Sequence, residues 1–173
     1  MAATFPGGVK VFTTKQAGDQ IASAHINDLQ DEVVAIETTL GANPFTWTAY
    51  TPTWTASTTN PSIGNGTLSG RYFQIGKLVY CQFTMRAGST TTFGSGLWRF
   101  SYPVAPDGAS ANLYQVGSVH AVDSGTANYN GITQYAGATY MGLILSGNWV
   151  SATDPFTWAN GDVLEVNVIY EAA

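Results

Sequence analysis

The sequence predicts a mainly β protein in which an N-terminal arm and a single α-helix precede an antiparallel β-sandwich of the jelly-roll type. Two observations lead to this fold class. One segment near the N terminus repeats apolar residues every three or four positions, as an amphipathic helix does. From residue 45 onward, apolar residues recur at every second position in short runs separated by turn residues. We expect an arm over residues 1–20, a helix over 21–41 and a β domain over 45–173.

The arm contains too few apolar residues to build a core of its own. A segment of this kind is a candidate for attachment to another protein. Its apolar side chains are the candidate contacts, and they are Phe5, Val9, Val11 and Phe12.

The predicted helix carries a heptad seam between residues 22 and 40. Its two core positions are occupied by Ala22, Ile26, Leu29, Val33, Ile36 and Leu40. β-branched residues stand in both positions, a mixture that favours trimers over dimers. Ser23 is the predicted N-cap, and Gly41 is the predicted left-handed residue that ends the helix. The seam has to be buried either on the β domain of its own chain or on copies of itself.

The β domain shows period-two alternation most clearly in residues 77–86 and 163–171. One face of the first segment consists of Val79, Cys81, Phe83 and Met85. One face of the second consists of Leu164, Val166, Val168 and Tyr170. Shorter candidate strands cover residues 47–55, 67–75, 96–102, 113–122, 127–135 and 139–145. About eight short strands separated by Gly-, Asn- and Pro-containing turns are typical of a sandwich or jelly roll.

Composition excludes several classes of function. Only 10% of the residues are charged, the net charge is −5, and the six Lys and Arg residues form no basic stripe, so we expect no nucleic-acid binding. No run approaches the ~20 apolar residues that span a bilayer, so we expect no membrane insertion. The first ten residues lack the pattern of a signal peptide, which predicts synthesis in the cytoplasm. Cys81 is expected to be a buried apolar residue.

The sequence offers little for catalysis. A triad of Ser118, His120 and Asp123 would need side chains that strand alternation does not bring together. Carboxylates for a glycosidase pair come from Asp107, Asp123, Asp154, Asp162 and Glu165. Most of these adjoin Gly, Pro or Asn, as turn-forming residues do. Histidines and cysteine are too sparse for a metal site. We expect no enzyme, no metal and no cofactor.

The aromatic residues leave two interpretations open. Exposed tryptophans stack on sugar rings, and the candidate glycan contacts are Trp54, Trp98 and Trp149. The core of a β-sandwich and contacts between subunits require the same residue types.

Two parts of the sequence resemble virion proteins of tailed bacteriophages. Residues 12–14 and 21–33, which read FTT and IASAHINDLQDEV, are similar to the helical opening of tail-fibre and minor tail proteins. A β module of phage virion proteins resembles residues 50–54 (YTPTW), 61–72 (PSIGNGTLSGRY), 75–77 (IGK), 92–98 (TFGSGLW) and 155–164 (PFTWANGDVL).

The resemblance implies a non-enzymatic homotrimer on the virion surface, of the kind called tail fibre, head fibre, decoration protein or minor tail protein. The six seam residues then become the predicted trimer interface, as a short coiled coil. The four apolar arm residues become the predicted anchor on phage capsid or tail proteins. A tail fibre that binds a host-surface glycan is the alternative. Head and tail locations stay open.

Overall fold

A computed structural model describes Val11 and residues 14–40, 46–108 and 117–173. It divides the chain into two units, residues 1–45 and residues 46–173. In the first unit, α1 covers Ser23–Leu40 and confirms the predicted helix. Ser23, the predicted N-cap, is instead the first residue of the helix. The contacts at this end involve the residue before it, since the Ala22 amide donates to Nδ1 of His25 at 3.1 Å. The His25 amide donates in turn to the Ala22 carbonyl at 3.0 Å, a reciprocal arrangement like that of a capping box.

The second unit is an antiparallel sheet of ten strands in the described part of the chain. The strands are β1 (Thr48–Tyr50), β2 (Trp54–Ala56), β3 (Thr67–Ile75), β4 (Leu78–Arg86), β5 (Trp98–Ser101), β6 (Ser118–Asp123), β7 (Ala127–Tyr135), β8 (Tyr140–Leu145), β9 (Asn148–Trp149) and β10 (Val163–Glu171). Their order is β1-β3-β4-β10-β6-β7-β8-β5-β2, and β9 pairs with β8. The mainly β fold class is confirmed.

One predicted strand is divided in the structure. Residues 47–55 were expected to be continuous, yet β1 pairs with β3 at one end of the sheet and β2 pairs with β5 at the other. Pro52 lies between them, and its ring nitrogen has no hydrogen to donate to a ladder. The chain therefore crosses from one edge of the sheet to the other at this proline.

The sheet curls so that its two halves enclose one core. The alternating residues of β4 and β10 that face inward are buried, as their period predicted. Phe83 on β4 contacts Phe100 on β5, with ring centroids 4.9 Å apart, although four strands separate β4 from β5 in the sheet. This contact shows that the predicted sandwich is a single sheet closed over its own apolar face.

Asn65 joins the loop that contains Gly64 and Gly66 to the loop that contains Gly88 and Thr90. The side-chain oxygen of Asn65 accepts from the Thr90 amide at 2.9 Å, and the Asn65 amide donates to Oγ1 of Thr90 at 2.8 Å. Gly64 has a φ of +57°, and a Cβ at this position would collide with the Thr90 carbonyl. The Gly-Asn-Gly motif that resembles phage modules is therefore structural.

The last strand is joined to a surface loop by one tyrosine. The Tyr170 hydroxyl donates to the Val104 carbonyl at 2.8 Å and accepts from the Val104 amide at 3.3 Å. The Tyr170 ring lies 4.9 Å from that of Tyr102. The loop also pairs with the end of β10, since the Asp107 amide donates to the Glu171 carbonyl.

The Tyr170→Phe variant is expected to lower the free energy of unfolding by about 1–3 kcal/mol, because two backbone groups of Val104 lose their shared partner. Urea denaturation followed by circular dichroism measures the change. Tyr140→Phe is the matched control, since the Tyr140 hydroxyl makes no hydrogen bond with the described residues. Equal midpoints for the two variants would contradict the role assigned to Tyr170.

Candidate functional sites

The heptad seam lies on the solvent side of α1. Ile26, Leu29, Val33 and Ile36 are between 40 and 51% exposed, and Ala22 is exposed as well. The Leu40 side chain lies outside the described residues. Glu32, by contrast, is only 6% exposed. Within this helix the apolar seam is therefore more exposed than the Glu32 side chain.

The predicted anchor is described at one residue. Val11 is 92% exposed, as a residue that contacts another protein would be in a single chain. Phe5, Val9 and Phe12 lie outside the described residues. The assignment of all four residues as the anchor stays a prediction.

The structure corrects two of the three predicted glycan contacts. Trp54 and Trp98 are 7% and 0% exposed, and their rings contact each other at 4.7 Å inside the core. Trp98 also donates from Nε1 to the Phe93 carbonyl at 3.1 Å. Rings buried on both faces cannot stack on a sugar. Trp149 is half-buried and packs against Gly142, where any Cβ would collide with its ring.

The outer face of the sheet holds a depression that we call the polar groove. It crosses β3, β4, β10 and β6 and encloses about 630 Å³. Its lining consists of Ser69, Gly70, Arg71, Gln82, Phe83, Thr84, Ser118, His120, Glu165, Val166 and Asn167. Strand register creates it, because the outward residues of neighbouring strands stand side by side. One cross-strand row contains Arg71, Gln82, Asn167 and Ser118, and the next contains Ser69, Thr84, Glu165 and His120.

Side chains in the polar groove hold one another in place. The Arg71 guanidinium lies 4.3 Å from the centre of the Trp47 ring, a cation–π distance. Its Nη2 donates at 2.7 Å to the Gln82 amide, oriented with its oxygen toward the guanidinium. Asn167 Nδ2 donates to Ser118 Oγ at 2.6 Å. A fixed set of donors and acceptors therefore lines one row of the groove.

Beside Arg71, the aromatic residues form a corner of the same outer face. Trp47 contacts Phe73 edge-on, with ring centroids 5.1 Å apart, and Tyr80 at 5.6 Å. Leu78 and Ile169, on β4 and β10, are 51% and 53% exposed. The polar groove thus adjoins apolar surface at one end.

The groove does not assemble the serine triad. Ser118 and His120 face outward on β6, whereas Asp123 has the opposite parity in that strand. His120 Nδ1 lies 3.3 Å from Glu165 Oε2, so this carboxylate stands where a triad would need Asp123. Ser118 Oγ is bonded to Asn167 instead of His120. The arrangement lacks a base in contact with the hydroxyl, which nucleophilic catalysis requires.

Asp162 has a structural role. Its carboxylate is buried, and it accepts from the Ser124 amide at 2.9 Å and the Ala159 amide at 2.6 Å. It joins two turns of the sheet, in agreement with the turn-forming role that its neighbours indicated.

Cys81 is fully buried, as its alternation predicted. Burial raises the pKa of the thiol to about 11, although the hydrogen bond with the Tyr50 hydroxyl lowers it in part. At neutral pH the thiol therefore stays protonated and is a poor nucleophile.

Residues 14–40, 46–108 and 117–173 hold no cluster of three or more His, Cys, Asp or Glu side chains suited to a metal ion. The helix that the structure describes is not apolar enough over its length to cross a bilayer.

The sequence is similar to a curated protein of Haemophilus influenzae, the Mu-like prophage FluMu defective tail fiber protein. The two are 27% identical over 125 residues, which make up 70% of this chain and 20% of the relative. The matched part of the chain thus spans about a fifth of the relative's length. No protein-family model and no solved structure matches the chain.

Proposed function

We propose that this chain is a non-enzymatic structural protein on the surface of a tailed phage virion, at the head or the tail. It forms a homotrimer through a short coiled coil, attaches to capsid or tail proteins by its arm, and projects a β domain outward. The similarity to a phage tail-fibre protein supports the virion role at a coarse level.

One observation on α1 supports the proposed trimer. The seam of α1 is about half exposed at each of Ile26, Leu29, Val33 and Ile36, while Glu32 in the same helix is buried. Exposed apolar surface of this kind costs free energy in water and marks an interaction site. The heptad spacing makes a second and third copy of the same helix the natural partners, since identical seams interdigitate as knobs into holes.

Deletion of residues 1–12 tests the attachment. The shortened protein is expected to remain a trimer in sedimentation velocity but to be absent from purified particles, because the arm supplies the virion contact. Particles carrying full-length protein with a small C-terminal label, viewed by electron microscopy, show whether it occupies the head or the tail. Normal incorporation of the shortened protein would show that the arm is not the anchor.

A second function is favoured by the polar groove, namely binding of a host-surface glycan. Amide, hydroxyl and carboxylate side chains there match the hydroxyl groups of sugars, and the aromatic corner around Trp47 adjoins them. In this proposal the groove replaces the buried Trp54 and Trp98 as the contact surface. A glycan array probed with the purified full-length protein tests it, with Gln82→Ala and Asn167→Ala as variants expected to lose binding.

A further inference from the structure

Arg71 is the permanent positive charge in the polar groove, and its neighbours are neutral. Its partners are the Trp47 ring and the Gln82 oxygen. The carboxylates that the structure describes lie more than 4 Å from its nitrogens, and Glu165 is paired with His120 instead. A guanidinium that lies in a groove with neutral partners retains its attraction for an anion.

The Arg71 side chain is also held in one orientation. Stacking on Trp47 restricts the plane of the guanidinium, and Nε and Nη2 both donate to the same Gln82 oxygen. The remaining N–H groups of the fork point away from this bond and stay free to donate. A cation that is already positioned loses less conformational entropy when a ligand binds.

The row that begins at Arg71 is long enough for a sugar chain. Register places Gln82, Asn167 and Ser118 beside it on three successive strands. Strands lie ~4.8 Å apart, so the row extends over roughly 14 Å. A short oligosaccharide can lie along this distance, with its hydroxyl groups facing amides and a serine hydroxyl.

We infer that the polar groove binds an acidic saccharide, with the sugar carboxylate on Arg71 and sugar hydroxyls on Gln82, Asn167 and Ser118. This inference rests on the second function proposed above, and it assigns the chemical class of the glycan. A carboxylate is planar and singly charged, and it matches the fork of one guanidinium. Arg71 is the one Lys or Arg among the residues that line the groove, so the second charge of a phosphate dianion would find no such partner there.

Ligand-observed NMR titration of the full-length protein tests the charge requirement. The probes are trigalacturonate and its fully methyl-esterified form, which differ in the carboxylate charge. At low ionic strength the acid is expected to bind at least tenfold more tightly than the ester. In Arg71→Gln the acid should bind at least tenfold more weakly than in the wild type, and in Arg71→Lys the loss should be smaller because the charge is kept.

Arg99→Gln is the matched control. It removes the same charge from β5, and Arg99 is not among the residues that line the groove. It should bind trigalacturonate like the wild type. Equal binding of acid and ester, an unchanged affinity in Arg71→Gln, or an equal loss in Arg99→Gln would each overturn the inference. Binding of glucose 6-phosphate through Arg71, without binding of trigalacturonate, would overturn the choice of a carboxylate.

Failure of this inference can be distinguished from failure of the two functions proposed above. If neutral glycans bind, and this binding is lost in Gln82→Ala but kept in Arg71→Gln, the groove remains a glycan site and the acidic class is refuted. Sedimentation velocity on the same samples reports the trimer independently. A trimer that is incorporated into particles yet binds neither probe would refute the groove's ligand and leave the structural role intact.

Discussion

Val33→Glu is expected to convert the proposed trimer into a monomer. Val33 lies in the middle of the seam and is 45% exposed in one chain. Around a three-fold axis, the substitution would bury three like charges close together, at a cost of about 3 kcal/mol or more for each chain. A bundle of less than three heptads has little stability to offset this cost. Sedimentation velocity and light scattering measure the mass.

Val34→Glu is the matched control on the same helix. Val34 is 58% exposed. It stands one position beyond the seam, so in the proposed trimer its side chain would point away from the three-fold axis. This variant should remain a trimer. Should the wild type itself sediment as a monomer at high concentration, or should both variants dissociate alike, the seam would not be the interface.

Trp98→Ala is expected to lower the free energy of unfolding by about 4 kcal/mol, because it leaves a cavity at the centre of the aromatic core. Trp98 is fully buried, and its ring contacts those of Trp54 at 4.7 Å and Trp158 at 4.9 Å. The substitution also deprives the Phe93 carbonyl of its indole donor. Urea denaturation followed by circular dichroism, at one fixed protein concentration, measures the change.

Trp149→Ala provides the comparison for the same chemical change at the sheet's edge. Trp149 is half-buried and packs on one face against Gly142, so a loss of about 1–2 kcal/mol is expected. A Trp98→Ala protein as stable as the wild type, but unable to bind glycan, would restore Trp98 as the surface contact that the sequence suggested.

Local alternation explains which elements could be predicted. The strands β3, β7 and β10 match the predicted ranges residue for residue, because turn residues precede each of them, and β10 also reads with a clear period of two. The segment around Pro52 was misjudged since alternation continues across it, whereas hydrogen bonding does not. β9 is only two residues long, too short for any period to appear.

The candidate sites were predictable to different degrees. The seam is a local repeat, so its residues could be identified from spacing alone. The polar groove could not, since His120 and Glu165 are 45 positions apart and Arg71 lies on a third strand. Sequence alternation placed these side chains on strand faces without telling which strands are neighbours. The tryptophans illustrate the same limit, because Trp98 and Trp149 differ in burial through the closure of the sheet.

The sequence by itself determined the helix with its apolar seam, the position of most strands and which residues share a strand face, because these depend on periodicities within a few turns or pleats of chain. Only the tertiary structure decided which face points inward, which strands are neighbours and that Arg71, Asn167 and His120 line one groove. Those outcomes depend on strand pairings between residues far apart in sequence and on the curl that brings Phe83 against Phe100. Burial and register are properties of the closed sheet, and no single segment encodes them.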